Sequence, residues 1–114
     1  MFIFPYPPSV NGYWGFHGSH RYLTPKAKAF KQEVVLASIG HERYGANKLS
    51  VSITLNPPDK RVRDIDNSIK SLLDAMCQAG LFDDDSQIDK LLVERGKIVK
   101  GGLCKVTILL LPVL

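Results

Sequence analysis

The sequence predicts one α+β domain over residues 1–114, in the order β-α-β-α-β-β, with a mixed sheet packed by two helices. Three observations carry that reading. The chain has 114 residues of which 45% are hydrophobic, enough for a single core. Two stretches, "LSVSITL" (49–55) and "LCKVTILL" (103–110), alternate apolar and polar residues with the period of a strand. Two others, after Thr24 and after Ile65, repeat apolar residues at helical spacing. No internal repeat, linker or low-complexity segment divides the chain.

Taken in order, "FIFPY" (2–6) is a short apolar strand stopped by Pro7-Pro8. Residues 9–23, "SVNGYWGFHGSHRYL", mix glycines, aromatics and histidines without a period and are expected as a long loop, a class that tends to be functional. Thr24-Pro25 starts a helix, as cap and first residue, and Phe30, Val34 and Ala37 give it an apolar face before Gly40 stops it. Residues 41–48 are a polar connection. In 49–55, Leu49, Val51, Ile53 and Leu55 face one way and Ser50, Ser52 and Thr54 the other; "NPPDK" (56–60) ends the strand. From Ile65, the positions Ile69, Leu72, Leu73 and Met76 make one stripe of a second helix, ended by Gly80. Ile88–Glu94 is a strand, "GKIVKGG" (96–102) a turn region and 103–110 the last strand.

Charged residues make up 23% of the chain and the net charge is +4, which favours an anionic partner only weakly at this size. Their distribution says more. Lys26, Lys28 and Lys31 cluster early, Lys60, Arg61 and Arg63 in the middle, and Arg95, Lys97 and Lys100 late. Cys77 and Cys104 fit no zinc spacing and are too few for a disulfide scaffold, so both are expected as reduced thiols. "MFIFPYPPS" has no basic leader region and "ILLLPVL" is too short to span a bilayer. The expectation is a soluble cytoplasmic protein with no membrane partner.

Against this background the acids are oddly gathered. Asp64 and Asp66 lie in "RVRDIDNSIK" (61–70), and "LFDDDSQID" (81–89) follows about twenty residues on. Two carboxylates about 4 Å apart repel by roughly 4 kcal/mol at an effective dielectric of about 20. Bases, protonation or a bound cation must offset that. Residues two apart point away from each other inside a helix, but at its entrance Asp64 and Asp66 can reach one place. Capping the helix explains one of them, not both. Lys70 can form a surface pair with Asp66 or stand as a cation beside a metal site; spacing alone slightly favours the pair. "DDDSQID" is no EF-hand, because Ile88 stands where the loop glycine is required. If that turn folds back onto the second helix, one of its aspartates joins Asp64 and Asp66. Lys60, Arg61 and Arg63 could then hold phosphates beside them. The aromatics and cations of 9–23, Tyr13 and Arg21 among them, suit unstacked bases and phosphates, although a buried aromatic cluster explains them equally well.

Three segments together resemble the RusA family of Holliday junction resolvases: "YPPSVNGYW" (6–14), "PPDKRVRDIDNSIKSLLDAMCQAGLFDDDSQI" (57–88) and "KGG" (100–102) ahead of the last strand. The resemblance covers most of the chain. It places the family's catalytic aspartates on Asp64, Asp66 and Asp85, with Gln87 fixing the register despite the extra Asp83, and its lysine on Lys70. It implies an endodeoxyribonuclease that holds Mg²⁺ on Asp64, Asp66 and Asp85, with Lys70 supplying further positive charge. Lys60, Arg61, Arg63, Asn67, Asn11, Tyr13 and Arg21 are the expected DNA contacts. It also implies a homodimer that cuts a four-way junction by paired symmetric nicks. A nuclease for other branched DNA and a non-catalytic junction-binding module are the alternatives.

Overall fold

The computed structural model describes residues 1–112, so the end of the apolar tail, 113–114, lies outside the described residues. In chain order the elements are β1 (Phe2–Phe4), α1 (Val10–Tyr13), β2 (Trp14–His17), β3 (His20–Leu23), α2 (Pro25–Ser38), β4 (Leu49–Asn56), α3 (Ile69–Gln78), a 3₁₀ turn (Asp85–Gln87), β5 (Ile88–Arg95) and β6 (Leu103–Leu110). The main sheet runs β1-β6-β4-β5. It is mixed: β6 is antiparallel to β1 and β4, while β5 is parallel to β4. A parallel neighbour requires a crossover, and α3 supplies it. The two acid segments are therefore the two connections of this β4–α3–β5 unit.

The alternation read in 49–55 is realised. Leu49, Val51, Ile53 and Leu55 are buried, facing Cys104, Val106 and Ile108 across the ladder and Phe30, Val34, Leu72 and Met76 of the helices. Each such side chain stabilises the fold by about 1.5–3 kcal/mol. Thr24 caps α2 as expected, accepting from the Ala27 amide at 3.2 Å, with Pro25 next. Among the described residues no helix is long and apolar enough to cross a membrane.

Two elements differ from expectation. The segment 9–23 is not a loop: a helical turn leads into a hairpin with Trp14 opposite Leu23 and His17 opposite His20. The turn is Gly18-Ser19, with Gly18 at φ +64°, a left-handed conformation that glycine adopts without strain. The second helix starts at Ile69, not Ile65. Residues 65–68 form turns closed by Asn67 N–H to Asp64 C=O (3.3 Å) and Ile69 N–H to Asp66 C=O (3.2 Å). Asp and Asn favour such turns over helix interiors.

Candidate active site

The first acid segment is built on a pinned scaffold. The Ser71 hydroxyl donates to the Pro8 carbonyl at 2.6 Å and the Val10 amide to the Asn67 carbonyl at 2.7 Å. These bonds clamp the opening "PPSVN" segment onto the entrance of α3. The basic loop before it is braced as well. Arg63 donates to the Asp59 carboxylate at 2.7 Å, and Arg95 donates to the Arg63 carbonyl at 2.7 Å. The Arg63 bond holds Asp59 well below the usual carboxylate range, at about 2. Gly102, at φ +71°, completes the scaffold: a Cβ there would stand 2.8 Å from the Tyr6 side chain, so "KGG" lets this loop press against Tyr6 and Pro58.

Between these pieces lies a cavity of about 550 Å³, walled by Tyr6, Pro58, Lys26, Arg61, Arg63 and Asp64 among others. The basic clusters that are far apart in sequence thus converge: Lys26 from the first and Arg61 and Arg63 from the second line the cavity, and Arg95 from the third braces its rim. Asp64 and Asp66 are exposed and, among the described residues, accept no side-chain hydrogen bond and form no ion pair. Neither caps α3, whose cap residue is Ser68.

The second acid segment is held by Gln87, which is buried. Its carbonyl oxygen accepts from the amides of Asp83 (3.1 Å) and Asp84 (2.9 Å), and its amide donates to the carbonyls of Gly45 (2.8 Å) and Asn47 (2.6 Å). The turn folds back along α3, and Asp85 meets Lys70 at 2.8 Å. Lys70 also meets Asp74, one turn on, at 3.2 Å; the pair with Asp66 is not formed. The hydrogen bond that Lys70 donates to Asp85 foremost, then that to Asp74, raises the Lys70 pKa, so Lys70 is an ammonium at neutral pH.

The structure brings Lys70 to Asp85, but not all three carboxylates to one point. Among the described residues no three His, Cys, Asp or Glu side chains converge on a metal position. Asp85 returns as far as Lys70, in the first turn of α3, and is paired with that ammonium. Lys60, Arg61, Asn11 and Arg21 are exposed, and Asn67 is half-buried beside Asp64 on the cavity wall. The Arg21 guanidinium lies 3.8 Å over the Trp14 ring, while Arg63 is turned into its own loop. Tyr13 requires a correction. Its ring is 1% exposed and packs against Trp14, so it cannot stack on a base from solution. Burial foremost, and then Asp74, raises its pKa. Sequence reasoning did not include Lys26 or Asp74 in the site. The i,i+4 spacing of Lys70 and Asp74 was a readable signal; the approach of Lys26 is tertiary and left none.

Residues 5–110 match the family model described as "Endodeoxyribonuclease RusA". Among curated relatives, the crossover junction endodeoxyribonuclease of Enterobacteria phage HK97 is 36% identical, covering 90% of this chain and 87% of the relative. That of Enterobacteria phage 82 is 30% identical over 91% and 88%, and that of Shigella sonnei (strain Ss046) 29% over 91% and 88%.

Proposed function

The chain belongs to the RusA endodeoxyribonuclease family, and from that premise we propose that it cuts four-way DNA junctions as a homodimer, each protomer nicking one of two equivalent strands in the cytoplasm of a bacterial host. The observation that carries this is the pairing of two free carboxylates, Asp64 and Asp66, with a cavity lined by Lys26, Arg61 and Arg63. A four-way junction has two-fold symmetry, which a C₂ dimer matches.

The donor chemistry fits a hard divalent cation. Mg²⁺ prefers one or two carboxylates, with waters and substrate phosphate completing its shell, so Asp64 and Asp66 suffice to hold it without a three-residue cage. When bound, such an ion activates water and stabilises charge on the phosphate under attack. The chain's own residues do the rest. Arg61, Lys60 and Lys26 hold the backbone phosphates that flank the scissile bond. Lys70 keeps its proton and presents positive charge at the flank of α3, where Asp85 and Asp74 orient it. Asp85 supports the site through Lys70 and becomes an additional ligand if it exchanges that partner. Asn67, whose carbonyl accepts from the Val10 amide, and Asn11, next to Val10, fix the approach of the strand to the acids.

The test is cleavage of an end-labelled four-way junction with Mg²⁺, beside Asp85→Asn, a flap and a linear duplex. Paired symmetric nicks in the junction alone, lost in the variant, are the expected result. Equal cutting of the flap would make the protein a general branched-DNA nuclease. Binding without cutting under any divalent metal would make it a junction-binding module.

A further inference from the structure

We infer that Val62 is a wedge that enters the base stack of the bound junction, and that the cavity beside Asp64 receives the nucleobase it displaces. Val62 is 98% exposed, the most exposed large apolar side chain described. A single exposed valine is ordinary; its setting is not. It stands on a ridge, residues 61–63, between the cavity of about 550 Å³ and a second of about 290 Å³, and lines both. The ridge is stiff, because the Arg61 amide donates to the Asp59 carboxylate at 2.9 Å and Arg63 and Arg95 tie it down as described. Arg61, exposed beside the valine, offers a cation to the phosphate next to an inserted tip, while Arg63 stays tied to Asp59 and stiffens the ridge.

The larger cavity suits a base better than a phosphate alone. Its volume lies in the ~300–1,000 Å³ range of ligand sites. Tyr6, Pro7, Pro8 and Pro58 give it flat apolar surface, beside Asn67 and the charged side chains of Lys26, Arg61 and Asp64, a mixture that suits a base with its phosphate. Apolar wedges between base steps unstack them, and bases at an interrupted stack leave most readily, as at a branch point. Asp64 forms part of the same wall, so a base lodged there brings its own phosphate to the acid segment. The inference rests on the junction-cutting reading and deepens it, since it makes the cavity the place where the cut position is chosen.

The experiment uses a four-way junction carrying 2-aminopurine at successive positions across the branch point, with a fluorescein on one arm, in metal-free buffer. Wild type is expected to raise the 2-aminopurine fluorescence several-fold at one position. Val62→Ser returns it to the free-junction level, with the anisotropy midpoint within about threefold, because phosphate contacts dominate affinity. Val62→Ile retains the rise. Fluorescence unchanged by Val62→Ser, or no rise at any position although wild type binds, overturns the wedge and leaves junction cutting standing. The absence of both an anisotropy change and cleavage with Mg²⁺ for wild type overturns the junction reading itself. The exposed position keeps the variant folded, which its thermal melt verifies.

Discussion

The two acidic segments at the ends of α3 are built in opposite ways. In 83–87 nearly every polar group has a partner: Gln87 makes four hydrogen bonds, Ser86 donates to Asp84, and Asp85 holds Lys70. In 64–66 the backbone is pinned through Asn67, yet both carboxylates reach into solvent without a partner. A satisfied network rigidifies the chain around it. Exposed, unpaired carboxylates beside three cations are instead free to accept a ligand. The difference teaches that clustered acid in a sequence can be braced or left open, and that the hydrogen-bond inventory separates the two: the later segment is braced, the earlier one has its carboxylates unpaired.

Substitutions break this contrast in a graded way. Asp66→Asn is expected to lower single-turnover junction cleavage by about 10³-fold, the upper range for losing one electrostatic group at a reacting phosphate, with melting temperature and junction affinity nearly unchanged. Wild-type-like cleavage would remove Asp66 from the site. Lys70→Met should reduce cleavage by about 10²-fold while costing under about 1 kcal/mol of stability, since the ion pairs are largely exposed. Stability loss without activity loss would make Lys70 structural. Its raised pKa gives a direction in pH: the stabilisation is complete below the unfolded value of about 10.4 and is lost as pH rises through the higher native value, visible as a falling melting temperature in alkali.

Gln87→Ala probes the braced segment. It leaves the Asp84 amide and the Asn47 carbonyl to find water, while the Asp83 amide keeps its bond to the Gly45 carbonyl, and about 2 kcal/mol of stability, a factor of roughly 30 in the folding equilibrium, should go. Denaturant unfolding reads this directly, and a loss below about 0.5 kcal/mol would show that the turn is held by other contacts. The smallest effect lies at Asp59. Its carboxyl, held at about 2 by Arg63, should titrate there by carbon NMR. The brace is complete above the unfolded value of 3.8 and fades as pH falls through about 2; a midpoint near 3.8 would mean that the ridge is not clamped by this pair.

Much of the fold was legible because periodicity reports burial. The alternation of 49–55 and 103–110 became the two central strands, and Thr24-Pro25 the start of α2. The hairpin at 14–23 was hidden by strands of four residues, too short to show a period, although Gly18-Ser19 between aromatics was a usable turn signal. The entrance of α3 was misplaced because Ile65 extends the apolar stripe while Asp64 to Asn67 prefer turns. Within the site, the sequence left the return of the acidic turn open; the turn reaches Lys70, a contact that no local spacing encodes. The burial of Tyr13 did not follow from sequence, because an aromatic in a glycine-rich stretch reads alike whether it faces the core or solvent. Convergence of Lys26 with Arg61 and Arg63 depends on how α2 packs, which no local pattern encodes.

The register of β1 has a consequence for biosynthesis. Phe2 pairs with Val106 and Phe4 with Cys104, so the first strand to leave the ribosome finds its neighbour only when the last one emerges. Until then Phe2 and Phe4 have no ladder to join, and β4 lacks its antiparallel partner. The sheet therefore closes only once β6 is available, in a long-range step that costs loop-closure entropy. A chain halted before residue 103 carries Asp64, Asp66, Lys70 and Asp85 and the paired β4 and β5, but lacks the strand that joins β1 to β4.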